Sequence, residues 1–251
     1  MDPAARLRIG RPLLDDTIRI VRLPAASALA AVPAADWPAG ERERFEQVAA
    51  EYRSSQRVNA DRPESWLNLG AFEAGLGRPA EAEAAYRAAI RLAPRFAAGY
   101  VALAQLHADR GGEVEGERVL REGLAAAPDA PELHHALGLS LVRQGRLADA
   151  LPPLGRAAAL DTASARFAYV QGVALFEQGE VDRAMAVLGT AASRHPADRD
   201  ILQALVSYSL QTADLAAARR WAGRLVEVAP DDPAARQQLE QIGRMRVLER
   251  P

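Results

Sequence analysis

Between Pro63 and Pro94, apolar positions fall at helical spacing on two stretches separated by a Gly77-Arg78-Pro79 break. Proline lacks the N–H that a helix interior needs, so the segment is predicted to fold as helix–turn–helix, ending at Pro94. The pattern then recurs. Pro94, Pro128, Thr162, Pro196 and Pro230 stand 34 residues apart. The break keeps the same step at Gly77, Gly111, Gly145, Gly179 and Ala213, and so does a small residue early in the second helix, at Ala82, Gly116, Ala150, Ala184 and Ala218. A constant period of this length marks an array in which each helix pair buries its apolar face against its neighbours.

The residue sizes agree with that reading. Gly70, Ala104, Gly138 and Gly172 would let two helix backbones approach closely, while Trp66, Tyr86, Leu120, Leu154 and Leu188 would fill the spaces between layers. Burying such a side chain contributes about 1.5–3 kcal/mol, which outweighs the roughly 0.5–1 kcal/mol lost by glycine inside a helix. Residues 41–58 read as one helix with Phe45, Val48, Ala49, Tyr52 and Ser55 on one face; Tyr52 precedes Tyr86 by 34 positions and Val48 precedes Ala82 by 34. It is expected to be the second helix of an incomplete unit that caps the stack. Upstream, two short helices are expected at about residues 3–14 and 18–31, with Asp16 or Thr17 as N-cap of the second and Pro24 kinking or dividing it. Trp37, between Pro33 and Pro38, marks a junction, and a polar helix over residues 234–248 is the cap that a terminal repeat requires.

The repeat resembles the tetratricopeptide repeat. The first unit matches its signature with Trp66, Leu69-Gly70, Ala82, Tyr86, Ala89 and Pro94. Later units keep Tyr100, Leu103-Ala104 and Leu120, then His134, Leu137-Gly138 and Leu154, while the fourth has Ala168 in place of the aromatic and the fifth has Leu202, Leu205-Val206 and Ala222. Leu13-Leu14-Asp15-Asp16, Val21-Arg22, Ala25-Ala26 and Ala28-Leu29 resemble a HEAT repeat. The implied fold is all-α, an α-α superhelix (tetratricopeptide-repeat solenoid) with a short HEAT-like helical pair at the N-terminus. Its expected parts are a HEAT-like pair over residues 1–36, a linker and capping helix over 37–62, five tetratricopeptide repeats over 63–232, and a capping helix over 233–251. The HEAT-like pair reads either as the last unit of an array cut away upstream or as a simple capping pair. The order of elements, with Asn59-Ala60-Asp61-Arg62-Pro63-Glu64 and His134-His135-Ala136-Leu137-Gly138-Leu139, resembles the C-terminal half of bacterial proteins carrying a multihaem cytochrome c-like domain. That resemblance implies an exported, periplasmic electron-transfer protein of which this chain is a helical docking module.

Composition narrows the chemistry. The net charge is −2, all 31 cations are arginine, and cysteine is absent, so neither nucleic-acid binding nor disulfides, thiolate metal sites or covalent haem attachment is expected within the chain. No apolar run of about 18 residues predicts a membrane span, and the charged first twenty residues do not read as a secretory signal; the compartment stays open. Gly70, Gly75 and Gly77 follow a helix rather than a strand and lack the lysine of a phosphate loop, so they are assigned to packing. His107, His134, His135 and His195 do not form a ligand set, since neighbouring helical residues diverge by about 100°. His134 is expected inside and His135 toward the groove. Ser140 lies near His135, but nothing marks a triad. No catalytic residue, cofactor or metal is expected.

The family resemblance implies a groove lined by the first helix of each unit. The candidate lining residues are Leu67, Val101, Gln105, His135, Leu139, Val142, Arg143, Arg166, Tyr169, Val173 and Phe176. The apolar stripe flanked by His135, Arg143 and Arg166 would suit a peptide with an acidic group. The alternative is that it packs on a helix of the same chain or on a second copy, as a homo-oligomerisation module. The carboxylate clamp that relatives use for chaperone tails is missing, with Leu67 and Ala71 at two of its places. The expected function is a non-catalytic scaffold for a protein or peptide segment.

Overall fold

The computed structural model describes residues 2–38 and 40–248, with side chains up to Met245. The last residues of the expected C-terminal cap, 249–251, lie outside these. The chain divides into two compact units at Leu133/His134, and every regular element among the described residues is helical. In the first unit α1 (Pro3–Gly10) and α2 (Arg19–Leu29) precede α3 (Arg42–Val58), followed by the pairs α4 (Pro63–Gly75) and α5 (Pro79–Leu92), then α6 (Ala97–Ala108) and α7 (Glu113–Ala126). The division falls within α8 (Pro131–Arg143), which pairs with α9 (Leu147–Leu160). The second unit continues with α10 (Ala165–Glu177), α11 (Val181–Arg194), α12 (Arg199–Gln211), α13 (Leu215–Val228) and α14 (Pro233–Leu248). First helices begin at residues 63, 97, 131, 165 and 199, and second helices at 79, 113, 147, 181 and 215, so the period seen in the sequence is kept to the residue.

One turn geometry closes all five pairs. Arg78, Gly112, Arg146, Glu180 and Asp214 each donate a backbone N–H to the carbonyl five residues earlier, at 2.8–2.9 Å. The residue before each donor is left-handed: Gly77, Gly111, Gly145 and Gly179 at φ 70–86°, and Ala213 at φ 57°. This is the glycine-favouring closure of a helix C-terminus. Only Ala213 carries a Cβ into that region.

Within each pair the helices meet where one side chain is missing. A Cβ added at Gly70 would lie 2.4 Å from Tyr86 Cε1, one at Gly138 2.4 Å from Leu154 Cδ2, and one at Gly172 2.5 Å from Leu188 Cγ. Tyr86, Leu120, Leu154 and Leu188 are buried as expected, at 5% exposure or less. Trp66 corrects the expectation that it fills an interlayer space. It is half-buried, and its indole Nε1 donates to Ala60 O at 2.9 Å. Tyr100 Oη donates to Pro94 O at 3.0 Å and Arg236 Nε to Pro230 O at 2.8 Å, so in α4, α6 and α14 this position ties the helix to the carbonyl six residues back. Ala168 has nothing to reach Thr162 O; a hollow of about 440 Å³ opens beside it, and His195 Nε2 lies 3.3 Å from that carbonyl.

The N-terminal segment differs from its expected outline. α1 stops at Gly10 and passes into a 3₁₀ turn, Arg11–Asp15, where Pro12 offers no N–H to continue the helix. Pro24 does not divide α2, whose Ala25, Ala26 and Leu29 are buried in one cluster with Phe45, Val48 and Ala49 of α3. The N-cap is Ile18, not Asp16 or Thr17; Asp16 Oδ1 instead accepts from Ile18 N at 2.7 Å, just ahead of the helix. Arg22 donates Nε and Nη2 to the two oxygens of Glu51, each at 2.8 Å, docking α2 on α3. Trp37 joins the cluster 4.9 Å from Phe45, centroid to centroid.

Two stability changes follow. Ala213→Gly relieves a Cβ in the left-handed region and should raise unfolding free energy by about 0.5–1 kcal/mol, after the larger unfolded-state entropy of glycine is subtracted. Ala168→Tyr should enter the hollow, donate to Thr162 O as Tyr100 does to Pro94 O, and add about 1 kcal/mol. Urea unfolding followed by circular dichroism measures both; a loss of stability in Ala168→Tyr would show that the hollow does not accept a ring.

Candidate functional site

Helical spacing sets which side chains leave the core of the first unit. Val101 and Gln105 of α6 and Asp109 at its C-cap are successive i, i+4 positions and share one face. Gln105 Nε2 donates to Asp109 Oδ1 at 2.6 Å, which fixes the polar edge of that face. Opposite it, α4 contributes Leu67 and Ala74. Small residues at Ala98 and Ala102 leave the space between unfilled, and the result is a hollow of about 770 Å³. Its floor is apolar; Arg95, Asp109 and Glu132 carry the charge at its edge. Phe96, from the turn between α5 and α6, also lines it. Sequence reasoning missed Arg95 and Phe96 because turn positions have no helical face to read.

Three of the candidate residues, Leu67, Val101 and Gln105, therefore meet in this hollow. The others belong to the second unit. There Leu139 is half-buried, while Val142, Arg143 and Arg166 are exposed. Tyr169, Val173 and Phe176 are partly buried against the core cluster that contains Leu188, Leu205 and Tyr208. Phe176 stacks on Tyr208 with ring centroids 3.7 Å apart and planes 4° from parallel. The stripe expected to be open is thus partly occupied by the chain's own α12. Tyr208 was missed, although its position repeats at Phe72, Leu106, Ser140 and Ala174, all buried.

His135 requires a correction. It was expected to face the groove and flank an acidic ligand, but it is 7% exposed, its ring lies 4.6 Å from that of Phe167, and neither nitrogen has a hydrogen-bond partner. Burial, and then the Arg166 guanidinium, push its pKa down to about 4, so the ring is neutral near pH 7 and supplies no positive charge. His134 is half-buried rather than interior. Ser140 is 1% exposed and accepts from Gln144 Nε2 at 3.3 Å, a packing role with no open nucleophile. Among the described residues no group of three or more His, Asp or Glu side chains is placed to hold a metal ion. No helix among them is long and apolar enough to cross a membrane.

An all-α array of paired helices with an open apolar hollow is the architecture of a helical-repeat interaction protein. Three family models described as tetratricopeptide repeat match residues 63–106, 135–199 and 175–242, and the chain belongs to that family. No curated protein matches the sequence. Among solved structures, YrrB, described as a TPR protein with an unusual peptide-binding site, is similar at 19% identity and TM-score 0.54, over 73% of this chain and 95% of YrrB. PilF of Pseudomonas aeruginosa is similar at 14% identity and TM-score 0.57, over 77% and 91%. MamA of Desulfovibrio magneticus RS-1, from its residue 41 to its end, is similar at 18% identity and TM-score 0.56, over 68% and 97%. These likenesses establish the fold, an all-α tetratricopeptide solenoid.

The neutral, buried His135 makes stability depend on pH. Between its ordinary pKa of 6.5 and about 4, the unfolded chain binds a proton that the folded chain does not, so stability falls as pH drops through that window. His135→Leu should flatten this part of the profile, read as the difference in urea midpoint between about pH 7 and about pH 4.5 in parent and variant. An equal slope in both would remove His135 as its source.

Proposed function

We propose that this protein–protein interaction scaffold binds a peptide or protein segment in the hollow between α4 and α6. The observation that supports the reading is the open apolar floor of Leu67, Ala98 and Val101, about 770 Å³ in extent and edged by polar groups. Pockets of this size and character accept a few side chains with orientation set by a small number of polar contacts. YrrB, a structural relative, is described by its peptide-binding site, which favours the same use of the fold here. The edge carries Asp109 and Glu132 against Arg95. The segment is therefore apolar with a basic rather than an acidic group, opposite in sign to what Arg143 and Arg166 suggested. The chain itself is read as non-catalytic.

A photo-crosslinking residue in place of exposed Gln105 should trap the bound segment. Val101→Glu, placed on the half-buried floor, should weaken its binding about tenfold or more while circular dichroism stays unchanged. A trapped partner whose affinity is indifferent to Val101→Glu would refute the assignment. Light scattering of both proteins identifies the remaining occupant: a parent dimer that becomes a monomer with Val101→Glu means that the segment belongs to a second copy.

A further inference from the structure

A different face of α4 lines a second hollow. Trp66, Leu69 and Glu73 lie round the helix from Leu67 and Ala74, and with α3 and α5 they border a furrow of about 630 Å³. We propose that this furrow is a separate binding site for an acidic segment of a partner protein, whose carboxylates pair with Arg57 and Arg91 and whose apolar side chain rests on Trp66.

The charge in the furrow is built, and part of it is left over. Four guanidinium groups (Arg53, Arg57, Arg78 and Arg91) and two carboxylates (Glu73 and Glu81) border it, in a chain whose net charge is −2. Glu73 is 5% exposed and is saturated by its own neighbours: Arg53 donates Nε at 2.6 Å and Nη2 at 3.3 Å, and Arg78 Nη1 lies at 3.6 Å. Arg53 is held further by the Phe72 ring, 5.3 Å from its guanidinium. Arg57 and Arg91 are exposed and have no partner among the described residues. Trp66 is locked in place by its bond to Ala60 O, so its ring is a fixed platform in the furrow that both arginines border.

Repeat packing does not require these cations. Arg57 and Arg91 occupy the same position in successive units, and the next four units place Ala125, Ala159, Ser193 and Glu227 there. Arg53 occupies a position that becomes Gly155, Gly189 and Gly223 in the last three. The equivalent furrow three periods along is bordered by Gly155, Ala159 and Ala168, with neither the paired arginines nor the aromatic platform. Since the same fold is built with glycine and alanine, the charge here is an addition to the surface and not a condition of folding.

Carboxylates fit this furrow better than phosphate. Glu73 and Glu81 would repel a group that concentrates two negative charges on one centre, whereas two carboxylates separated along a chain can each meet one guanidinium. Leu69 and Ala85 extend the apolar floor beside Trp66, which favours an aliphatic residue between the acidic ones.

The test uses the full chain and a fluorescein-labelled peptide of alternating glutamate and leucine, with fluorescence anisotropy as readout. The peptide should bind, more weakly as salt is raised. Arg57→Gln/Arg91→Gln should weaken binding about tenfold or more, Arg91→Gln alone by less, with both variants folded by circular dichroism. Val101→Glu, in the other hollow, should leave binding unchanged. The proposal is overturned if the peptide does not bind, if the double variant binds as the parent does, if Val101→Glu is the variant that loses binding, or if inorganic phosphate displaces the peptide as well as unlabelled peptide does.

Discussion

The structure depends on a fixed volume shared by two positions in each helix pair. Where the first helix has glycine, as at Gly70, Gly138 and Gly172, the second supplies Tyr86, Leu154 or Leu188, whose atoms stand within about 2.5 Å of the absent Cβ. The last pair reverses the assignment. Val206 stands at the glycine position and Ala222 at the large one, both fully buried and in one cluster with Ala218. The second pair takes an intermediate course: Ala104 opposes Gly116, whose Cβ would fall 2.9 Å from Ala104 O. Close-packed interiors tolerate exchange of volume between facing residues far better than its loss. The loose match of the fifth unit to the family signature is therefore compensated substitution at a constant interhelical distance.

Because each pair solves its packing internally, the remaining positions are free to differ between units. The position of Trp66 shows this in the polar ties of Trp66, Tyr100 and Arg236, three unlike side chains that reach the carbonyl six residues back. Ala168 omits the tie and the fold persists with a hollow beside it. An array stabilised by nearest-neighbour contacts can absorb one such loss locally. The N-terminal helices add a further cluster, in which Leu14, Ala26 and Leu29 pack with Phe45 and Ala49, so α3 is covered along its apolar face.

What was legible in the sequence is what repeats. The 34-residue step fixed the helix starts to the residue, and Gly77, Gly111, Gly145, Gly179 and Ala213 located the left-handed closures. Single events were not legible. Pro24 left a kink and a division of the helix both open, and the burial of Ala25, Ala26 and Leu29 holds α2 together across it. The aromatic signature named Trp66 but could not show that its Nε1 seeks Ala60 O, which leaves the ring half-exposed. His135 was placed at the groove by the lining positions that the family resemblance implies; Phe167, from the following helix pair, covers it. In each case a contact from outside the local period overrode a reading made within it.

The candidate binding surfaces were the least legible part, for a physical reason. Whether a face is open depends on the size of residues that no signature constrains. In the first unit Ala74, Ala98 and Ala102 are too small to meet across the space between α4 and α6, and a hollow results. In the second unit the corresponding region contains Phe176 and Tyr208, whose rings stack at 3.7 Å and occupy it. The same family positions therefore border an open hollow in one unit and are filled by packing in another. A list of lining positions taken from the repeat cannot distinguish them; the sum of side-chain volumes across the gap can. By that measure the first unit is where a ligand has room, and its alanines are as informative as any polar residue beside them.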